Sequence, residues 1–512
     1  MLSSPIQILR ILRVAWILAR FDALFLLKDA KLLPVIILIV SIWKKPVTKK
    51  RPGQRLAAAL QELGPSFIKF GQAIATRPDL IGREVATDLS ELQDRLPPFS
   101  AKKAREIIEN ELNQPIDELF KEFNDTPVAA ASIAQVHFAI TSNGDPVAVK
   151  VLRPNIELAF EKDLNFFLWL ASLAEKTLPA SRRLKPVDIV KTLAKSVRTE
   201  MDLRLEAAAA SEFSRNMSEV EGFQVPRVHW THTNRRVLTL QRMEGIRIDD
   251  IDGLIKKGQD PSKILTYAAS AFFQQVFYYG FFHADLHPGN LLVNKNGEVV
   301  ALDFGIMGRL NKETRLYLAQ MLLGFLSRDY ERVAEIHFEA GYVSDHESKG
   351  LFTQAIRAIG EPVMELPLQE ISIARLLGHL FEVTREFNME TQPQLLLLQK
   401  SMLMAEGISR QLYPNENMWQ LARPLIETWA KKNLGPAAQA QNIAQNVIKE
   451  AKRVPRIIEK AETIIEALEK DQKDQAQSSK NTRSIFGVSV FLFFGIIVTI
   501  GLLATLIALQ LS

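Results

Sequence analysis

Three short motifs in the middle of this chain constrain its fold more than any other feature of the sequence. Val147-Ala148-Val149-Lys150 ends an apolar run with a lysine, and Asp303-Phe304-Gly305 follows far downstream. Between them, His283 to Asn290 places Asp285 and Asn290 five residues apart. A lysine for phosphate oxygens, followed by Asp, Asn and Asp in this order, is the pattern of a phosphoryl-transfer site. The fold must therefore bring a strand lysine and two loops together at one cleft.

These motifs predict a role for each of four side chains. Side chains alternate along a strand, so Lys150 can point into the cleft, where it would contact the phosphates of ATP. Without the other motifs, a solvent-facing lysine would be the simpler interpretation. Asp285 is the predicted catalytic carboxylate, which positions the attacking group. Asn290 and Asp303 are predicted Mg²⁺ ligands, because Mg²⁺ takes few protein oxygens and shares the rest with phosphates and water.

The segment before the lysine strand lacks the glycine-rich loop that covers ATP in protein kinases. An alanine-rich loop takes its place, and alanine cannot adopt positive φ as freely as glycine. We therefore expect ATP to bind in a different pose or with different selectivity, although an alanine-rich turn without a ligand is the alternative. The predicted ATP-binding residues here are Val128, Ala129, Ala130, Ala131, Ser132, Ile133, Ala134, Gln135 and Val136.

One acidic residue from a helix should pair with Lys150 and orient it. Glu200, Asp202 and Glu206 lie on one predicted helix, which extends from Val187 to Asn216. Asp202 and Glu206 are one turn apart and share a face, whereas Glu200 points elsewhere. We predict Glu206 as the partner of the lysine. The alternative is that all three acids form a solvated helix face.

The order of elements predicts an α+β, two-lobed architecture with helical additions at both ends. Helices are predicted over residues 52–122. A hairpin follows, with strands from Val128 to Ile140 and from Val147 to Leu152 and a turn at 142–145. Further strands are expected at 225–227, 237–243, 291–293 and 299–302. The predicted segments are a membrane-proximal N-terminal segment (1–51), a helical extension (52–122), a kinase-like ATP-binding core (123–345), a C-terminal helical region (346–448), a charged helix or linker (449–484) and a membrane anchor (485–511).

The predicted anchor is a stretch without any charged residue, from Ile485 to Leu511. A spanning helix needs about 20 apolar residues, so the stretch suffices for one tilted helix and is marginal for a hairpin of two. A buried core helix of this length would normally keep a polar face. Lys473, Lys480 and Arg483 precede the stretch, and the positive-inside rule then places the bulk of the chain in the cytoplasm.

Other features limit the classes of protein. The chain has no cysteine, which excludes disulfides and cysteine-based metal or redox sites. Its net charge is +5 without a basic stripe interleaved with aromatic residues, so nucleic acid is not an expected partner. Residues 6–28 mix arginines with large apolar side chains and predict either an interfacial amphipathic helix or a helix packed on the core.

Further motifs resemble those of the UbiB family of atypical kinase-like proteins. Lys69-Phe70-Gly71-Gln72 is similar to the family's Lys-x-Gly-Gln signature, and Glu200-Met201-Asp202 to its Glu-x-Asp signature. The alanine-rich loop, which ends in Ser-Ile-Ala-Gln-Val-His, resembles the family's replacement for the glycine-rich loop. The run His283 to Asn290 is the family's form of the catalytic loop, and the likeness extends over nearly the whole chain.

The resemblance implies a protein-kinase-like fold whose N-terminal helical extension, with Lys69 and Gln72, lies over the site where a kinase would seat a protein substrate. It implies ATP as substrate, Mg²⁺ as cofactor, and a role in aerobic ubiquinone biosynthesis around its hydroxylation steps. The implied partners are membrane lipid, polyprenyl-phenol quinone precursors and biosynthetic enzymes such as flavin monooxygenases. The implied location is the bacterial inner membrane.

The leading hypothesis is therefore a membrane-anchored, Mg²⁺-dependent ATPase or atypical kinase that supports ubiquinone synthesis. A second hypothesis is a protein kinase that acts on a biosynthetic monooxygenase. A third is a lipid-binding scaffold that binds nucleotide without chemistry. The complete set of Lys150, Asp285, Asn290 and Asp303 favours an enzyme over the scaffold, because an inactive site need not keep all four.

Overall fold

The structure is a computed structural model, and its description covers most of the chain before residue 435. The described residues are 5–27, 50–75, 81–90, 92, 96–177, 186–365, 372–383, 387, 389, 392–414 and 418–434. The chain divides into a compact unit, Met1–Ile426, and a second unit, Glu427–Ser512. Of the second unit, the structure describes residues 427–434, the end of a helix that begins at Met418. The predicted linker at 449–484 and the predicted anchor at 485–511 lie outside these residues.

The N-terminal part is helical, as its sequence predicts. Its helices are α1 (Pro5–Arg20), α2 (Pro52–Leu63), α3 (Pro65–Ala75), α4 (Arg83–Ser90), α5 (Ala101–Leu112) and the single turn α6 (Ile116–Leu119). In α1, Ile17 and Ala19 are buried, whereas Leu9, Leu12 and Trp16 are exposed. The structure therefore packs one face of this helix on the core and leaves large apolar side chains of another face exposed. No helix within the described residues is long and apolar enough to cross a membrane.

The first lobe contains a five-stranded antiparallel sheet in the order β1-β3-β4-β6, with β2 paired to β3. The predicted hairpin is present, and Gly144 turns it with a φ of +89°. Residues 120–122, which we expected to be helical, instead open a strand that pairs with β3. Pairing with the neighbouring strand overrides local helix preference there. The strands are β1 (Phe120–Phe123), β2 (Ala129–Ala130), β3 (Ala134–Thr141), β4 (Pro146–Leu152) and β6 (Val237–Gln241).

Three helices follow β4, and the last two of them occupy the range where the sequence predicted a single helix. They are α7 (Ile156–Thr177), α8 (Pro186–Glu200) and α9 (Leu203–Met217). The expected single helix over 187–216 was wrong, because the chain breaks between Glu200 and Leu203. Asp202 has an extended backbone, with a φ of −115°, and its side chain accepts a hydrogen bond from the Arg204 amide as the N-cap of α9. Glu200 and Glu206 consequently belong to different helices.

The second lobe begins with short strands that carry the catalytic loops. One sheet has the order β5-β10-β9-β7, and β8 pairs with β11. The strand expected at 225–227 lies instead at β5, where Phe223 pairs with Val299, and Pro226 offers no amide hydrogen to extend that pairing. The strands are β5 (Phe223–Gln224), β7 (Ile246–Arg247), β8 (Phe281–His283), β9 (Leu291–Val293), β10 (Val299–Ala301) and β11 (Met307–Arg309).

Helices complete this lobe and the region that follows it. They are α10 (Ile251–Lys256), α11 (Pro261–Phe273), α12 (Lys312–Leu326), α13 (Tyr330–Glu339), α14 (Lys349–Met364), α15 (Ile373–Val383), α16 (Pro393–Leu412) and α17 (Met418–Leu434). A large apolar cluster joins the N-terminal extension to the core. In it, the Phe67 and Phe70 rings of α3 lie 5.0 and 4.7 Å from the Phe167 ring of α7. The extension is thereby fixed against the kinase-like core.

Candidate active site

Lys150 bridges two carboxylates that come from different parts of the core. Its Nζ lies 2.8 and 2.9 Å from the two carboxylate oxygens of Glu206 on α9, and 3.3 Å from Oδ1 of Asp303. Val149 and Val151 are buried, and strand alternation puts Lys150 on the opposite face of β4. The structure thus brings together the lysine, the acid predicted to pair with it and the first residue of Asp-Phe-Gly.

Burial and charge act in opposite directions on these three groups. Burial works against the charge of Lys150, but the Asp303 and Glu206 carboxylates outweigh burial, so the pKa of Lys150 is raised. The Lys150 ammonium lowers the pKa of Asp303 to about 2. Burial raises the pKa of Glu206 to about 7, against the effect of the lysine. At neutral pH, Lys150 is therefore an ammonium and Asp303 a carboxylate.

Asp303 has a backbone conformation that non-glycine residues seldom adopt, with a φ of +58°. Its Oδ1 accepts a hydrogen bond from the Gly305 amide at 3.2 Å, and a Cβ added at Gly305 would lie 3.2 Å from the same oxygen. The side chain of Asp303 is half exposed, whereas that of Glu206 is only 8% exposed. Asp303 is therefore the partner of Lys150 that solvent, a metal ion or a nucleotide can reach.

Hydrogen bonds order the catalytic loop around Asp285. The Asn290 Nδ2 group donates to both the backbone oxygen and Oδ2 of Asp285, each at 3.1 Å. The buried His283 accepts from the Asp285 amide through Nδ1 and donates from Nε2 to the Leu302 oxygen, so one tautomer satisfies both contacts. Through His283, the catalytic loop is fixed to the residue that precedes Asp303.

The alanine-rich loop joins β2 to β3 without a residue of positive φ. The Val128 and Ala131 amides donate across the hairpin to the Val136 and Ala134 oxygens, both at 2.8 Å. The Ser132 hydroxyl is fully buried and has no hydrogen-bond partner among the described residues. An unpaired buried hydroxyl is unfavourable, so the Ser132 side chain lowers the stability of this loop.

Further hydrogen bonds, which were not predicted from the sequence, hold this loop in place. Arg153, at the end of β4, donates from Nε and Nη2 to the Ala131 oxygen at 3.0 and 2.8 Å, and from Nη2 to the Pro97 oxygen at 2.9 Å. The buried Gln135 exchanges two hydrogen bonds with the Phe99 backbone. The segment between α4 and α5, within the helical extension, therefore anchors the loop. No motif in the sequence marked Arg153.

The other predicted residues lie outside the lysine pair. Lys69 on α3 forms an ion pair with Glu200 at the end of α8, with Nζ and Oε2 2.8 Å apart and both side chains largely buried. Gln72 donates to the Leu92 oxygen at 3.2 Å. Asp202 pairs with Arg204, whose hydrogen bonds lower the pKa of that carboxyl. The solvated-face alternative for the three acids is therefore wrong for Glu200 and Glu206.

The residues present fit a magnesium ion bound together with nucleotide phosphates. The Asp303 carboxylate is ionised and accessible, and the Asn290 amide nitrogen is engaged by Asp285, which leaves the Asn290 oxygen for a metal. No group of three or more His, Cys, Asp or Glu side chains in the described part of the chain could hold a metal by itself. A site of two protein ligands that is completed by phosphates and water is the usual form for Mg²⁺.

One further basic residue reaches this site, and the sequence gave no signal for it. Lys400, on α16 of the C-terminal helical region, places its Nζ 3.1 Å from Oδ1 of Asp285. This region carries no recognisable chemical motif in its sequence. Only the packing of distant elements brings the two residues together.

Comparison with known proteins relates these segments to described families. Residues 91–337 match the ABC1 atypical kinase-like domain, and residues 356–417 match the UbiB helical domain. The first range includes Lys150, Glu206, Asp285, Asn290 and Asp303, and the second includes Lys400.

Individual relatives are similar over most of their length. A Marinobacter nauticus protein named "Probable protein kinase UbiB" is 40% identical over 462 residues, which cover 88% of this chain and 84% of the relative. An Aliivibrio fischeri protein of the same name is 42% identical over 421 residues, which cover 81% and 77%. Among solved structures, the complex of Rv3197 with erythromycin from Mycobacterium tuberculosis matches at 22% identity with a TM-score of 0.47, over 71% of this chain and 92% of that one.

Proposed function

The chain belongs to the UbiB family of atypical kinase-like proteins, and from this premise we propose that it is a membrane-anchored ATPase of ubiquinone biosynthesis. The observation that carries the proposal is the convergence of Lys150, Glu206 and Asp303 within 3.3 Å. Asp285 and Asn290 are tied to the same site through the Leu302 backbone that precedes Asp303. A lysine–glutamate pair beside an Asp-Phe-Gly aspartate is the arrangement that active protein kinases require.

In the proposed reaction, each side chain has one task. Lys150 binds phosphate oxygens of ATP, and Glu206 holds the lysine in place. Asn290 and Asp303 would hold Mg²⁺, which neutralises charge on the phosphates when bound. Asp285 orients a water molecule, whose oxygen forms a bond with the γ-phosphorus. The bond from the γ-phosphorus to the bridging oxygen breaks with its electron pair on ADP, and the proton of the water passes through Asp285 to solvent.

We propose that this activity lies at the bacterial inner membrane, with the bulk of the chain in the cytoplasm. The charge-free segment 485–511 supports an anchor there, although it lies outside the described residues. We propose that ATP turnover serves the aerobic hydroxylation steps, in which flavin monooxygenases act on polyprenyl-phenol precursors. The family membership supports the pathway, and the apolar segment supports contact with these lipid substrates.

The names of the relatives favour a second candidate, a protein kinase that acts on a biosynthetic monooxygenase. In that case, a hydroxyl of the partner protein replaces water as the attacking group, while the roles of Lys150, Asn290 and Asp303 stay the same. Mapping of phosphoproteins in cells with the wild-type protein and with Asp285→Asn separates the two. A phosphosite that is lost in the variant would favour the kinase.

The first test is ATP turnover by the purified full-length protein in liposomes with Mg²⁺, with and without a phenol that mimics the quinone precursor. We expect turnover that Asp303→Asn abolishes and that Asp125→Asn leaves unchanged, since Asp125 pairs with Arg105 on the surface. Turnover that rises with phenol would link the chemistry to the membrane substrate. Nucleotide binding without turnover under any of these conditions would leave a scaffold that binds nucleotide as the better description.

A further inference from the structure

A lysine of the C-terminal helical region, Lys400, contacts the carboxylate of Asp285. Lys400 Nζ lies 3.1 Å from Oδ1 of Asp285, although the two residues are 115 positions apart in the sequence. Oδ2 of the same carboxylate accepts a hydrogen bond from Asn290. Both oxygens of Asp285 are therefore held by side chains, and the carboxylate has one preferred orientation in the site.

Packing fixes the helix that carries Lys400. Leu398 and Met402 of α16 are buried, and Ser401, next to Lys400, is completely buried. The helix lies against α11 and β11. Ala405 and Ile408, one and two turns after Lys400, line an apolar cavity with Leu286, the residue that follows Asp285. The backbone of α16 is thus held directly behind the catalytic loop by buried side chains.

The charges around the cleft give this lysine a specific task. The ammonium group of Lys150 already faces two carboxylates, those of Glu206 and Asp303. Of the basic side chains that the structure describes, Lys400 is the one in an ion pair with Asp285. An exposed ion pair usually contributes little to stability, and both side chains here are partly exposed, at 39% and 31%. A contact of this kind matters more for orienting the carboxylate than for folding.

We propose that Lys400 is a positioning residue of the active site and that α16 contributes to catalysis by holding Lys400 against Asp285. The inference rests on the proposed phosphoryl-transfer function, in which Asp285 orients the attacking group. Lys400 holds Oδ1 of Asp285, Asn290 holds Oδ2, and the attacking water then meets a carboxylate in a defined position. Misplacement of a catalytic group by even about 1 Å can slow a reaction on the order of a hundredfold.

The test compares three variants of the full-length protein in liposomes. Lys400→Met keeps the aliphatic stem and removes only the ammonium group, and we expect kcat for ATP hydrolysis to fall at least about tenfold. The affinity for MgATP should change less than about twofold, because Lys400 acts on Asp285 and not on the phosphate-binding lysine. Lys400→Arg keeps the charge and should recover most of the rate. Lys349→Met is the matched control, because it removes the ion pair with Glu335 at the start of α14.

A double variant separates positioning from a structural role. If Lys400 acts through Asp285, adding Lys400→Met to Asp285→Asn should reduce the residual rate no further. Thermal melting verifies that each variant is folded, and Lys400→Gln replaces Lys400→Met if the latter does not fold. Wild-type kcat in Lys400→Met, together with loss of turnover in Asp303→Asn, would overturn this inference and leave the proposed function intact. Absence of turnover in the wild-type protein would overturn both.

Discussion

Lys150 contacts two carboxylates that differ in how freely they can change partners. Glu206 is buried and binds the ammonium group with both oxygens, whereas Asp303 is half exposed and binds it with one. Removal of one member of a buried ion pair leaves an uncompensated charge, which is more costly than the pair is stabilising. Glu206 is therefore the fixed partner of Lys150, and Asp303 is the one available to a metal ion.

This difference predicts the effect of a single substitution. In Glu206→Gln, Lys150 keeps only the more exposed carboxylate, so we expect kcat/KM for ATP to fall at least about tenfold, by about 1.4 kcal/mol or more. Steady-state ATP hydrolysis measures the loss. Glu212→Gln, on the same helix, removes only the surface pair with Arg309 and should retain the wild-type rate. An equal loss in both variants would mean that α9 is disturbed as a whole.

A buried histidine far from the site makes stability depend on pH. His337 is 1% exposed, its Nδ1 contacts the Val333 oxygen at 2.7 Å, and burial lowers its pKa to about 4. His337 therefore binds a proton near pH 6.5 in the unfolded chain but only near pH 4 in the folded chain. The contribution of His337 to stability is complete above pH 6.5 and is lost as the pH falls towards 4, by up to about 3 kcal/mol.

We expect His337→Gln to flatten the pH dependence of the free energy of unfolding between pH 6.5 and 4. Urea unfolding at several pH values in this range measures the slope. His346→Gln, at an exposed position, should keep the slope of the wild type. If His337→Gln also kept that slope, other groups would be responsible for the loss of stability in acid.

At the scale of elements, the break between α8 and α9 sets the position of Glu206. The break allows Glu200 to end one helix and pair with Lys69, while Glu206 lies in the first turn of the next helix and pairs with Lys150. In one continuous helix, the directions of the Glu200 and Glu206 side chains would be fixed relative to each other. The N-cap at Asp202 thus connects the contact with the helical extension to the contact with the nucleotide site.

Loss of this cap should affect both stability and activity. Asp202→Ala removes the side chain that accepts from the Arg204 amide, and such a change costs about 1 kcal/mol. Because α9 carries Glu206, we also expect ATP turnover to fall several-fold. Ser348→Ala removes the corresponding N-cap of α14 and should lower the melting temperature to a similar degree without loss of turnover. Unchanged turnover in Asp202→Ala would show that packing alone holds Glu206 in place.

At the scale of the whole molecule, the proposed membrane attachment rests on sequence outside the described residues. We expect deletion of residues 485–511 to move the protein from the membrane fraction to the soluble fraction of lysed cells, because this stretch carries the apolar length that a span needs. Replacement by an unrelated apolar helix of equal length should restore attachment. If the deleted protein stayed on membranes, the exposed Leu9, Leu12 and Trp16 of α1 would be the next surface to test.

The sequence alone predicted the parts of the site that local patterns encode. Strand alternation and the fixed spacing of the catalytic loop predicted roles for Lys150, Asp285, Asn290 and Asp303. The predicted contact of Glu206 with Lys150 is present, although the single helix assumed for Asp202 and Glu206 is broken just before Leu203. Sequence reasoning misplaced the boundaries at residues 120–122, 201–202 and 225–227, where strand pairing, a cap and a proline compete with local propensity.

Tertiary structure decided which distant groups meet. Lys400 reaches Asp285 because α16 packs against α11 and β11. Arg153 joins the alanine-rich loop to the extension because its guanidinium group bonds the oxygens of both Ala131 and Pro97. No spacing rule in a single sequence specifies such contacts, since they arise from burial of apolar surfaces between elements that lie far apart along the chain. The sequence by itself determined the chemical groups of the site, whereas long-range packing determined which side chains position them.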